Sequence, residues 1–125
     1  MAITYRLRQD NQERSQYKGK WFGHAVNLGT VETDDMARII ERNCSVKRSD
    51  VLAVLSELSE VMRQQLQNSH RVRLAGIGSF MVGINGRPCD RPEDYNVSYV
   101  TGLHICFKAE KELRLDGTDV VPLPP

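Results

Sequence analysis

Residues 71–80 read Arg-Val-Arg-Leu-Ala-Gly-Ile-Gly-Ser-Phe, and they restrict the fold more than any other stretch. Val72 and Leu74 alternate with Arg71 and Arg73, so a strand here has one apolar and one basic face. Gly76 and Gly78 then bracket Ile77. Glycine inside a strand pattern marks a bulge, a bend or a close backbone approach. The alternation resumes at Phe80, Val82 and Ile84. A bent strand over 71–84 is therefore expected, with a helical pattern before it and a second strand pattern after it. The polar, proline-bearing segment 85–102 separates the two strands.

The helical pattern has two parts. The first begins near Thr33, a residue type suited to cap a helix, with Asp34 and Asp35 in the positive first turn. Met36, Ile39 and Ile40 follow helical spacing, and the pattern stops around Cys44-Ser45. The second covers about residues 48–68, where Val51, Leu55, Leu58 and Met62 form a stripe that Val54, Val61 and Leu66 widen. So wide a face suggests a partner chain, with an ordinary layered core as the alternative.

The remaining elements follow from the same rules. Ile3, Tyr5 and Leu7 alternate with Thr4, Arg6 and Arg8 as in a half-exposed strand. Residues 10–20 are polar and read as a loop, and 21–27 read as a second short strand. Asn85-Gly86 is a hairpin dipeptide, but Pro88 and Pro92 would interrupt the strand that pairs back. Tyr95, Val97, Tyr99, Thr101, Leu103, Ile105 and Phe107 form a period-two series, read as a return strand with a bulge at Gly102. Lys108–Leu115 suits one or two helical turns. The end of the chain, Val-Val-Pro-Leu-Pro-Pro, reads as a frayed tail.

With 125 residues the chain suits one domain. The formal net charge is +1, a faint footprint for a nucleic-acid binder, although Arg6, Arg8, Arg14, Lys18 and Lys20 face only Asp10 and Glu13 in residues 1–24. Three cysteines without CxxC spacing argue against a disulfide framework and for a reducing compartment. No apolar run resembles a signal peptide or approaches the ~18 residues of a spanning helix. The cytoplasm is expected.

The order helix, turn, long helix, Val72-x-Leu74-x-Gly76-Ile77-Gly78-x-Phe80, long excursion, then Ile105-x-Phe107-Lys108 with Lys111 and Leu113, resembles the HU and integration-host-factor family of bacterial histone-like DNA-binding proteins. The resemblance covers residues 31–115. Residues 1–30 look like the N-terminal extension of an HU-related subgroup, and 116–125 are set apart as a flexible proline-rich tail. It implies an α+β, HU-like fold in which two helices form a dimer base beneath an antiparallel β-saddle with a β-arm, plus an extension strand. It further implies a nucleoid-associated homodimer that binds and bends duplex DNA with little sequence preference. No enzymatic chemistry, cofactor, metal, membrane or small-molecule substrate is implied.

On these positions the implied DNA-binding residues are Arg71 and Arg73 on the saddle and Gly76 and Gly78 at its turn. Arg87, Pro88, Arg91 and Pro92 would serve the arm, Lys108 and Lys111 the end of the return strand, and Lys47 and Arg48 the start of the second helix. Leu55, Leu58, Met62 and Phe80 would form the dimer interface. The family's Pro-Gly between the two lysines is Ala109-Glu110 here, and Lys47 stands where a Ser or Thr cap is usual. Each assignment has a plainer counterpart: Arg71 and Arg73 as a solvated strand face, Lys47 and Arg48 as an exposed turn, the excursion as a mixed-charge loop that binds nothing. Asp90, Glu93 and Asp94 in the excursion, together with Glu110, define the alternative function, an HU-derived structural or protein-interaction module with little DNA affinity.

Other motifs invite chemistry that simpler readings absorb. His24, His70 and His104 lack ligand spacing. Cys44 and Cys106 read as small core residues, and Cys89 as an exposed thiol with no base beside it. Trp21-Phe22 is either a stacking platform for a base or packing for the extension.

Overall fold

The computed structural model describes residues 2–124. The chain forms two compact units, one of residues 33–114 and one of residues 1–32 with 115–125.

The larger unit begins with α1 (Thr33–Asn43) and α2 (Arg48–Gln67), where the apolar periodicity put them. They pack on each other around Ala37 and Val51, and Leu66 is buried at the far end of α2. The turn into α2 has no side-chain cap from Lys47. Glu41, in the last turn of α1, accepts the Arg48 N–H at 2.6 Å, and the Arg48 guanidinium pairs with Asp34 at 3.4 Å. At its other end α2 stops because Ser69 adopts φ 65°. His70 then donates to the Gln65 carbonyl at 3.0 Å and Ser69 to Leu66 at 3.0 Å, the left-handed ending that satisfies the last helical carbonyls.

The sheet of this unit has the order β3-β4-β5, with β3 (Val72–Leu74), β4 (Gly78–Gly86) and β5 (Val100–Ala109) all antiparallel. Residues 71–80 are thus a hairpin and not the single bent strand expected. Gly76 takes φ +81°, a conformation glycine enters without steric cost, and Ile77 donates back to the Leu74 carbonyl at 3.0 Å. Gly78 has a different reason to be glycine: a Cβ there would lie 2.4 Å from the Lys108 carbonyl oxygen and 2.6 Å from the Phe107 ring.

Asn85-Gly86 continues β4 and makes no hairpin. The bulge falls beside the glycine expected to carry it. Asn85 pairs with Gly102 and Gly86 with Val100, leaving Thr101 as the extra residue. The return strand starts at Val100, so Tyr95, Val97 and Tyr99 lie outside it despite their alternation. Pro92–Asp94 and Val97–Tyr99 are 3-10 turns. The Asn96 side chain accepts from the Ser98 N–H at 2.8 Å and from its hydroxyl, a local bond that competes with strand pairing. Lys111–Leu113 is a single 3-10 turn.

The smaller unit is a sheet of order β2-β1-β6, in which β1 (Ile3–Gln9) pairs antiparallel with β2 (Trp21–Ala25) and parallel with β6 (Val120–Pro122). The frayed tail expected at the chain's end is therefore corrected over 120–122. The Ile3 N–H meets the Asp119 carbonyl at 2.9 Å, and the Leu123 N–H meets Tyr5 at 2.8 Å. Pro122 is tolerated because β6 is an edge strand. Asp10 organises the 10–20 loop by accepting from the Ser15 hydroxyl at 2.5 Å and the Gln12 N–H at 3.0 Å. Among the described residues no helix is long and apolar enough to cross a membrane.

Candidate nucleic-acid interface

The β3-β4-β5 sheet has two chemically different faces. Register pairs Phe80 with Phe107, Val82 with Ile105 and Ile84 with Leu103, so all six side chains share one face. That face and α2 enclose an open apolar groove of about 820 Å³, lined among others by Leu55, Leu58, Met62, Phe80, Val82 and Ile105. The groove is not filled. Ile84, Leu103 and Ile105 are 61%, 60% and 62% exposed, and no large side chain among the described residues is fully buried.

The opposite face carries Arg73 across from Ser79, Ser79 across from Lys108, Met81 across from Cys106 and Gly83 across from His104. Cys106 is exposed there and is not the core residue expected, because it falls one position out of phase with Ile105 and Phe107. Cys44, just beyond α1, is exposed as well. The His104 imidazole lies over Gly83, where a Cβ would come within 2.2 Å of its Nε2.

The cations of this face are not all equivalent. Arg71 donates to the Ser79 hydroxyl at 3.1 Å. Arg73 is clasped by Glu110, through Nε at 2.5 Å and Nη2 at 3.0 Å. The same carboxylate accepts the Gly76 N–H at 3.2 Å, and the Glu110 N–H donates to Ile77 at 2.9 Å. Glu110 thus stitches the end of β5 to the β3–β4 turn. The Arg73 hydrogen bonds, then the Gly76 N–H, hold its carboxyl below the usual carboxylate range. Read in sequence as a stray negative charge among phosphate ligands, Glu110 is a structural clasp. Its chemistry, an acid facing an arginine across two strands, had no local signal. Lys108 and Lys111 have no ion pair among the described residues.

The remaining expected site residues are spread over other elements. Arg87 closes the 87–99 loop: its N–H donates to the Tyr99 carbonyl at 2.9 Å and its Nη2 to the Ser98 carbonyl at 3.1 Å. Its guanidinium lies 5.2 Å from the Tyr99 ring centroid, and Tyr99 stacks on Tyr95 at 5.4 Å. Arg91 precedes a 3-10 turn that Pro92 opens, while Pro88 is exposed. Lys47 and Arg48 start α2, where Glu41 already takes the Arg48 N–H that a phosphate would use. Trp21 and Phe22 are neighbours on one strand and so point to opposite faces. They form no joint platform, and Phe22 packs edge-on against Tyr17 at 5.7 Å.

Comparison with known proteins places this architecture. A crystal structure from Bacteroides vulgatus, of a protein provisionally described as a bacterial DNA-binding protein, superposes with a TM-score of 0.67 at 14% identity. The match covers 98% of this chain and 49% of that one, so this chain spans about half the length of the protein it resembles. None of the curated proteins matches. The family described as an HU domain fused to wHTH, Ig, or glycine-rich motif matches residues 1–119. Two packed helices, a three-stranded sheet with one apolar and one basic face, and this match over nearly the whole sequence lead to one assignment: the chain belongs to the HU-HIG family.

Proposed function

We propose that the protein binds duplex DNA as a homodimer, with residues 31–115 as its HU-like domain, and that it bends the duplex with little sequence preference. The observation that carries this reading is the two-faced sheet. Its apolar face borders an 820 Å³ groove that a second copy would fill with its own α2 and sheet, leaving the basic face of both copies outward as a saddle. Membership of an HU family and likeness to a protein described as DNA-binding support the same reading.

In this reading Arg71, Lys108 and Lys111 contact backbone phosphates, the source of most non-specific affinity. Arg73 contributes less, since Glu110 neutralises it. The 87–99 loop stands where the family carries its arm, with Pro88 or Pro92 as the apolar wedge between base steps and Arg87 and Arg91 flanking it. The Lys47–Arg48 turn is a secondary contact. The role is one of binding, without catalytic chemistry, at the nucleoid in the cytoplasm.

Fluorescence anisotropy of a labelled duplex at two salt concentrations tests it. Binding that weakens steeply with salt is expected, and Arg71→Gln with Lys108→Gln, which removes two cations from each copy, should flatten the log–log slope by about three to four units. No binding at low salt overturns the reading.

A further inference from the structure

The smaller unit holds a second cluster of cations that the saddle does not use. Arg6 pairs across β1 and β2 with His24, and Arg8 with Phe22, so Arg6, Arg8 and His24 project from one face of that sheet. They converge on a recess of about 270 Å³ completed by Ala25, Val26 and Asn27. The recess is lined by hydrogen-bond donors and contains no carboxylate. The Asn27 side-chain oxygen is already occupied by the Gly29 N–H at 2.9 Å, so its amide N–H₂ is the part left to offer. Neither Arg6 nor Arg8 has an ion pair or hydrogen-bonded side-chain partner among the described residues. The nearby acids are committed within their own loop: Asp10 to Ser15 and Gln12, Glu13 to Lys18 at 3.4 Å.

Two unpaired guanidiniums held on the same face of one strand repel one another unless an anion lies between them, and the imidazole beside them offers a further ring nitrogen for hydrogen bonding. Arginine's planar fork matches tetrahedral phosphate oxygens bidentately. From this we infer that the face formed by Arg6, Arg8, His24 and Asn27 is a second phosphate site, which grips the phosphodiester backbone of the same duplex outside the saddle. The inference rests on the DNA-binding reading above and extends the footprint to the N-terminal unit. A nucleic-acid backbone is favoured over an isolated anion because the exposed Phe22 ring beside Arg8 and the open recess suit a chain of phosphates and sugars.

The test uses the full chain and a labelled duplex titrated across a salt series. Arg6→Gln with Arg8→Gln, which removes two arginines from each copy, should weaken binding at least about tenfold near 50 mM salt and flatten the salt slope by about two to four units. Arg6→Lys with Arg8→Lys, which keeps charge on the same strand, should restore most of the slope and shows that loss in the first pair is not misfolding. In NMR, the His24 ring and Asn27 amide signals should shift on adding duplex. If the glutamine pair leaves affinity and slope unchanged while Arg71→Gln with Lys108→Gln abolishes binding, the second site is wrong and the saddle reading stands. If the glutamine pair lowers the slope and the saddle pair does not, the second site stands and the saddle reading falls. A wild type that binds anionic vesicles through this face but no duplex, or binds neither, overturns both.

Discussion

Glu110 shows how one side chain sets the balance between rigidity and charge. It holds Arg73, the Gly76 N–H and, through its own N–H, the Ile77 carbonyl. It is only 20% exposed, whereas Arg73 is 63% exposed. Glu110→Gln keeps the shape but removes the charge. Arg73 is then released toward phosphates in both copies, so DNA affinity at low salt should rise at least about three- to tenfold and the salt slope should steepen by roughly two units. The same change should lower the thermal midpoint, because the turn loses a charge-assisted tether. The pH dependence has a defined sign. The folded-state pKa of Glu110 is depressed, so its stabilisation is present above the unfolded value of about 4.3 and is lost as pH falls through the folded one. Acid unfolding of wild type and Glu110→Gln, followed by circular dichroism, should converge at the lowest pH and separate above about pH 4.

Among the elements, the β3–β4 hairpin and β5 act as one piece because glycines let their backbones close up. Gly78→Ala would place a methyl 2.4 Å from the Lys108 carbonyl, which backbone cannot avoid by rotating a side chain. A loss of about 1–3 kcal/mol is expected, measured by urea unfolding, with amide exchange faster at Ile77, Ser79 and Glu110. Gly19, by contrast, sits at φ +86° with open space around it, so substitution there meets conformational strain without a clash. The 87–99 loop follows another logic. Its order comes from Arg87, Tyr99 and Tyr95 stacked in sequence and from Asn96 holding Ser98. These contacts tie up Arg87 in the free protein, so contact with phosphate would have to compete with the tyrosine face for the same guanidinium.

For the molecule as a whole, stability depends on what fills the α2–sheet groove. The buried apolar side chains among the described residues are Ala37, Val51 and Leu66, a small core for a unit of this size, while Leu55, Leu58, Met62 and Phe80 line open space. If a second copy closes the groove, the thermal midpoint should rise with protein concentration. Leu58→Asp would then bury an unpaired carboxylate at a cost of several kcal/mol, comparable to a typical total stability of ~5–15 kcal/mol. Sedimentation should show a wild-type dimer and an unfolded or dissociated Leu58→Asp chain. A stable folded monomer in either case contradicts the dimer.

What the sequence by itself determined is what repeats over a few residues. The 3.6-residue stripes placed both helices, the period-two runs at 3–7 and 103–107 placed strands, and Gly76 and Gly78 marked a bend or close approach that the assembled sheet turned into a hairpin. These patterns are local because neighbours at i+2, i+3 and i+4 are set by the backbone geometry of the element. What only the tertiary structure decided is which distant groups meet. Tyr95, Val97 and Tyr99 alternate as a strand should, yet a side-chain bond from Asn96 and the Arg87–Tyr99 contact fold them into turns. Val120–Pro122 reads as a tail because its pairing partner lies at the other end of the chain, at Ile3–Tyr5. Glu110 reads as a charge that opposes DNA because Arg73, 37 residues away in sequence, becomes its neighbour only when β3, β4 and β5 assemble. Arg6 and His24 come together only once β1 and β2 pair. For Val120–Pro122 and for Glu110 the deciding energy is a hydrogen bond or charge contact between groups far apart along the chain, and it exists only after the chain has closed the loop between them; the Asn96–Ser98 bond is local, and Arg6 meets His24 through strand pairing alone.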